Sequence, residues 1–259
     1  NLFKCFKYIF IMKTKDLELM ANSIRKDIIK MIGEAKTGHP GGSLGLADIF
    51  TVLYFDFITH NPKKPLWDKR DFVFLSNGHV CPVLYSTLAH SGYFKVSELM
   101  TFRKLGSRLQ GHPHFGTLPG VENSGGPLGQ GISQAVGLAA SLKRDEKKNK
   151  VYCFVGDGEI QEGQCWEAFI FAAKENLNNL CVIVDMNNIQ IDGPTNNVHD
   201  LSLLHAKMVA FGFVVVDIDG NNIAHIKSAL EYAKKQEKPV VIIAKTVPGK
   251  GVSFMENDY

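Results

Sequence analysis

The 259-residue chain has five cysteines, Cys5, Cys81, Cys153, Cys165 and Cys181, but no CxxC spacing. They argue against a disulfide framework and read as reduced core thiols of a cytoplasmic protein. Charge of one sign is also missing. The 29 basic and 26 acidic residues are spread along the chain and leave a net charge of +3, which gives no reason to expect a nucleic-acid or membrane partner. No apolar run is long enough to cross a bilayer. The first eleven residues, NLFKCFKYIFI, are aromatic and basic but too short for that, and they lack a small-residue cleavage site. Because Met12 follows directly, residues 1–11 are expected to be an upstream or non-native extension, with a weak amphipathic anchor as the alternative. Internal repeats and Pro-, Gly- or Ser-rich linkers are absent, so residues 12–259 are expected to form one domain.

What is present is a chain long enough to bury a full core, 45% hydrophobic and ordinary for a globular protein. Residues 16–36 carry Leu17, Met20, Ile24, Ile28, Met31 and Ile32 at helical spacing, and Gly38 and Pro40 then stop the helix. A second apolar series, Leu46, Ile49, Phe50, Leu53 and Phe57, follows Ser43, which is expected to be its N-cap. Buried strands are predicted at 72–75, 151–155, 180–184, 213–216 and 240–244, with helices at 131–145, 163–176, 199–210 and 222–236. This alternation predicts an α/β fold: an open, mostly parallel sheet with helices on both faces.

Within that pattern the strand 151–155 runs straight into Gly156-Asp157-Gly158. A helix follows, and the next strand ends at Asp185-Met186-Asn187-Asn188. A right-handed βαβ crossover brings both strand ends, and so Asp157 and Asn187, to one edge of the sheet, where ligands of open α/β sheets bind. Oxygens from an aspartate and an asparagine suit a hard cation such as Mg²⁺ or Ca²⁺, and two side chains leave most of its positions for phosphate oxygens. The flanking glycines let a diphosphate approach the backbone. Taken singly, a GDG tripeptide and an Asn pair are common loop chemistry. Together, at the ends of consecutive strands, they match the diphosphate signature of thiamine-diphosphate enzymes.

From about Ile24 to Phe254 the chain resembles the amino-terminal half of transketolases, and in particular the short subunit of those split into two chains. The stretches TGHPGGSLGLADI, DFVFLSNGHV, LGSRLQGHPHF, LPGVENSGGPLGQGIS, GDGEIQEGQCWEA, DMNNIQIDG and KTVPGKGVSF occur in family order. The resemblance implies the diphosphate-binding domain of the thiamine-diphosphate fold over residues 12–259. It implies thiamine diphosphate as cofactor and a divalent metal, Mg²⁺ with Ca²⁺ or Mn²⁺ as alternatives, held by Asp157, Asn187 and the Ile189 carbonyl. His79, Gly126, Leu128, Gly156, Asp157, Gly158, Asn187 and Ile191 would contact the cofactor. In GGPLGQGI a glycine-rich turn opens a helix, so free N–H groups are expected to point at an anionic or polar ligand group.

His39, His79 and His112 match family histidines facing the substrate channel, where imidazole suits proton transfer near neutral pH. His90, His114, His199, His205 and His225 are expected to be surface or packing residues. Glu162 matches a glutamate at the subunit interface. The implied activity is transfer of a two-carbon ketol unit from a ketose phosphate to an aldose phosphate, in the pentose phosphate pathway of the cytoplasm. The glutamate that activates the cofactor pyrimidine and most phosphate-holding groups belong in the family to a second domain. The implied partner is therefore a carboxy-terminal subunit, with two copies of each half, and a chain inactive alone. After GKGVSFMEN the family continues with a tryptophan and an active-site histidine, whereas this sequence ends at Asp258-Tyr259. Two other readings are carried: a related enzyme acting on an unusual sugar or resembling deoxyxylulose-phosphate synthase, and a non-catalytic cofactor-binding scaffold.

Overall fold

The computed structural model describes residues 12–256; the extension expected at 1–11, Cys5 and Asp258-Tyr259 lie outside them. The amphipathic stretch forms α1 (Thr14–Ala35), which buries Leu17, Ile24, Ile28 and Met31. Lys36 ends it in a left-handed conformation (φ 54°). The next helix starts earlier than its apolar series suggests. Here α2 (Pro40–Gly45) begins directly after His39, with proline in its first turn, and α3 (Ala47–Val52) continues the series into a wide turn over Leu53–Phe57. Ser43 is therefore not an N-cap. It sits inside α2, and its hydroxyl donates to the His39 carbonyl (2.7 Å).

Five parallel strands form the main sheet: β1 (Phe72–Leu75), β2 (Val151–Gly156), β3 (Leu180–Met186), β6 (Val214–Asp219) and β7 (Val240–Lys245). Their order is β1-β2-β3-β7-β6. Between them run α4 (Cys81–His90), α5 (Gln130–Arg144), α6 (Gly163–Lys174), α8 (Leu204–Ala210) and α9 (Ile223–Lys234). A two-strand hairpin, β4 (Ile189–Gln190) with β5 (Gly193–Pro194), follows β3 and leads into the single turn α7 (Thr195–Val198). The helix expected at 199–210 is thus shorter and preceded by that separate turn. A second difference concerns β6. It is an edge strand, so Val214, Val215 and Val216 are only partly buried, although the sequence suggested a strand covered on both faces.

Alternation along the strands splits the interior in two. Val73, Leu75, Tyr152, Phe154, Ile183, Val240 and Ile242 face a core shared with α1, α3, α4 and α9. Phe74, Val151, Cys153, Val155, Val182, Val184 and Val241 face one shared with α5, α6 and α8. Near-continuous apolar strands are what a sheet covered on both faces requires. Cys81, Cys153, Cys165 and Cys181 are buried and unpaired, and burial pushes Cys81 and Cys165 up to about 12, as inert core thiols. After β3 the chain skips to the edge strand β6 and returns to β7 between them, so the neighbours β3 and β7 are not consecutive, and such a switch in strand order opens a crevice at the carboxyl ends of the strands.

Candidate functional site

That crevice collects the loops after β1, β2 and β3. Asp157 is only 2% exposed. Its Oδ1 accepts the Gly158 N–H (2.8 Å), and its Oδ2 accepts the Asn188 N–H (2.6 Å) and the Thr195 hydroxyl (3.3 Å). Asn188 delivers that N–H from a left-handed conformation (φ 61°), so the Asn pair shapes the turn as well as ending β3. Burial raises Asp157 to about 6 despite these donors.

Beside it stands Asp185, 1% exposed, whose Oδ1 accepts the Thr246 hydroxyl and whose Oδ2 accepts the Asn187 amide (3.0 Å). Burial, with the Asp157 charge added, raises Asp185 to about 7. Neither carboxylate has a Lys, Arg or His within ion-pair distance among the described residues. Two buried acids without a counter-charge form a costly arrangement that a divalent cation would relieve. The donor set also fits: hard oxygens on Asp157 and Asn187, with spare lone pairs on both. Ile189 lies opposite Pro194, which has no N–H to offer it. Among the described residues no three His, Cys, Asp or Glu side chains cluster as a metal site.

The histidines meet at the same edge. His39 precedes α2, and His79 sits in the turn Gly78–Val80 after β1; their rings lie edge to face at 5.2 Å. Burial lowers His79 to about 4, with smaller contributions from His39 and His112. His39 and His112 are lowered by burial and then by the Arg103 charge. All three imidazoles are neutral at pH 7 and able to accept or pass on a proton. Gly42 joins this cluster to the carboxylates: a Cβ there would lie 2.9 Å from Val80 and 3.3 Å from Asp185 Oδ2.

Of the remaining sequence-selected residues, Gly126 (φ 148°) faces open space and Leu128 is half-buried, its carbonyl accepting from Gln164 (2.8 Å). Gly156 closes β2 and Gly158 packs against Gln190. Glu162 is exposed at the start of α6, near Gly129. Ile191, at the β4–β5 tip, is 99% exposed and touches nothing that would give it a role within this chain. His90 pairs with Asp27 and His205 with Asp217, as packing and surface residues do.

At the start of α5 two of the N–H groups already have acceptors within the chain: Gly129 N–H is taken by the Glu159 carboxylate (2.7 Å) and Ile132 N–H by the Ser76 hydroxyl (3.1 Å), so the protein itself supplies an anion to that helix end. Sequence reasoning missed Glu159 and Asp185, although Asp185 ends an apolar strand just as Asp157 does. It also missed Arg103, which reaches Thr37 two residues before His39 (2.7 Å) and lies against Gly111 beside His112. Asn77, next to His79, has both amide atoms buried without a partner. A hollow of about 390 Å³ lined by Asn22, Arg25, Asp48, Asn221 and Lys250 lies elsewhere and shares no residue with this edge.

Residues 17–258 match the family described as transketolase, thiamine diphosphate binding domain. The chain is 43% identical over 242 residues to a 6-deoxy-6-sulfo-D-fructose transketolase subunit of Clostridium sp. (strain MSTE9), covering 93% of this chain and 88% of that protein. To an apulose-4-phosphate transketolase subunit of Phocaeicola vulgatus it is 38% identical over 248 residues, covering 95% and 87%. The solved transketolase of Campylobacter jejuni superposes with a TM-score of 0.91 at 40% identity, over 95% of this chain but only 40% of that one. The chain therefore spans about two fifths of a one-chain transketolase and nearly all of the subunit-sized relatives, and it belongs to the transketolase family, as its amino-terminal, thiamine diphosphate-binding domain.

Proposed function

We propose that this chain is the cofactor-holding subunit of a two-chain transketolase that moves a two-carbon ketol unit from a ketose phosphate to an aldose phosphate. The observation that carries the reading is the uncompensated pair of buried carboxylates, Asp157 and Asp185, at the switch point of a fold shared with transketolases. Asp157, Asn187 and the Ile189 carbonyl would hold Mg²⁺, with Ca²⁺ or Mn²⁺ as alternatives, and through it the diphosphate of thiamine diphosphate. Gly126, Leu128, Gly156, Gly158 and Ile191 would line the cofactor. When bound, the cofactor supplies an electron sink for cleavage of the bond beside the ketose carbonyl. Asp185 accepts from the Asn187 amide (3.0 Å) and so fixes that side chain, whose Oδ1 also accepts the Ile189 N–H (3.0 Å). His39, His79 and His112, neutral at pH 7, accept and return protons of sugar hydroxyls at the edge. Glu162, exposed beside the first turn of α5, would contact the partner chain.

Relatives of similar length that are named as subunits support a carboxy-terminal partner. Two copies of each chain in the working assembly and a cytoplasmic setting complete the reading. The same relatives favour a second reading, an anionic sugar other than the common ketose phosphates, because they are named for 6-deoxy-6-sulfo-D-fructose and apulose-4-phosphate. Co-expression with the chain encoded beside it, followed by a panel of ketose phosphates and a sulfonated ketose, tests both. No transfer from any ketose by an assembled, cofactor-loaded pair would reject the transketolase reading. Turnover of the sulfonated ketose alone would establish the second.

A further inference from the structure

One buried carboxylate holds the site loops together. Glu159 is 2% exposed. Its Oε1 accepts the Ser76 hydroxyl (2.5 Å) and the Gly129 N–H (2.7 Å), and its Oε2 accepts the Gly156 N–H (3.0 Å). The Ser76 oxygen extends the network by accepting the Ile132 N–H (3.1 Å). These donors belong to three separate segments: the end of β1, the first turn of α5 and the end of β2. His79 lies three residues beyond Ser76, Gly126 and Leu128 immediately precede Gly129, and Asp157 and Gly158 follow Gly156. The turns carrying His79, Gly126, Leu128, Asp157 and Gly158 thus hang from one side chain, whereas the β3–β4 loop with Asn187 and the β4–β5 tip with Ile191 do not.

Close packing leaves no substitute for it. A Cβ on Gly131 would stand 2.5 Å from the Ser76 Cα, and one on Gly78 would stand 2.9 Å from the Gly125 Cα. Backbone meets backbone there, and the Gly129 and Gly156 amides are satisfied by one side chain with several acceptor lone pairs.

We propose that Glu159 is a positioning residue for the cofactor: it fixes the turns carrying His79, Leu128 and Asp157 at the mutual spacing that the diphosphate requires. The proposal rests on the reading that this edge binds thiamine diphosphate. The test measures thiamine diphosphate affinity with Mg²⁺ by calorimetry, and turnover, on the assembly with its partner chain, for wild type, Glu159→Gln and Ser76→Ala. Amide hydrogen exchange of the chain is read in parallel. Glu159→Gln puts an NH₂ against one of the N–H donors, so it should weaken cofactor binding about tenfold or more, leave kcat at saturating cofactor within about twofold, and lose protection at Gly129 and Gly156. Ser76→Ala should weaken binding severalfold and lose protection at Ile132, and it carries the test if Glu159→Gln does not fold. Wild-type affinity in both folded variants overturns the proposal, as does a parallel fall in affinity, kcat and thermal stability, which would mark a purely structural role. Absence of binding by wild type would instead reject the cofactor reading itself.

Discussion

At the residue scale the site is defined by charge that the protein does not balance. Asp157 supplies the anionic oxygen of the proposed metal set, so Asp157→Ala should weaken Mg²⁺-dependent thiamine diphosphate binding by on the order of 100-fold or more, and Asn187→Ala, which removes a neutral ligand, by roughly tenfold. Calorimetry of the assembled complex checks this, and unchanged affinity for Asp157→Ala would refute the metal assignment. His79 allows a pH prediction. Its folded pKa is about 4, against an ordinary 6.5, because burial and the facing His39 and His112 disfavour the cation. The unfolded chain therefore binds the proton first as pH falls, so stability is unaffected above about 6.5 and is lost between 6.5 and 4. Relative to His79→Gln, wild type should lose up to about 3 kcal/mol across that window. Denaturant melts of both proteins at several pH values decide it, and parallel curves would place His79 in a more solvated site.

At the element scale, function depends on loops meeting without side chains. A methyl on Gly78 would press on the backbone of Gly125 and Gly126 at 2.9 and 3.0 Å. Gly78→Ala should therefore cost about 1–3 kcal/mol, seen in thermal melts, and should loosen cofactor binding by separating the His79 turn from the Gly126 turn. A variant with an unchanged melting temperature would show that the loops have room to part. The elements themselves were largely legible in the sequence. Uniformly apolar runs gave β1, β2, β3 and β7, and helical spacing gave α1, α5, α6 and α9. The misreadings share one cause. Ser43 looked like a cap and β6 looked covered, because caps and edges are decided by what packs beside them and local sequence does not carry that information.

At the scale of the whole molecule, several residues of the proposed site lie open to solvent on this chain. His39, His112 and Glu162 are exposed, and Ile191 is fully so. A cofactor gripped by its diphosphate on one chain and activated through its pyrimidine by another must bind between them. Sedimentation of an active preparation should show an assembly containing two copies of this chain and two of its partner, and an active lone monomer would refute that. The chain by itself, with Mg²⁺ and saturating thiamine diphosphate, should exchange the cofactor C2 proton no faster than free cofactor. Adding the partner should accelerate exchange by orders of magnitude. Proton–deuterium exchange after acid quench measures it, and rapid exchange by this chain alone would place the activating acid here.

The sequence by itself determined the parallel α/β sheet, because strands covered on both faces must be apolar at every position and the crossover has one hand. It also determined that Asp157 and Asn187 share an edge, since they end consecutive strands of one βαβ unit. Only the tertiary structure decided which polar groups are satisfied. Asp185 ends an apolar strand as Asp157 does and Glu159 follows Gly158 in the same turn, but nothing local tells that one lies buried beside Asp157 without a counter-ion while the other accepts an N–H at the start of α5. Those assignments depend on hydrogen-bond partners up to 83 residues away in the chain, and burial makes each of them obligatory.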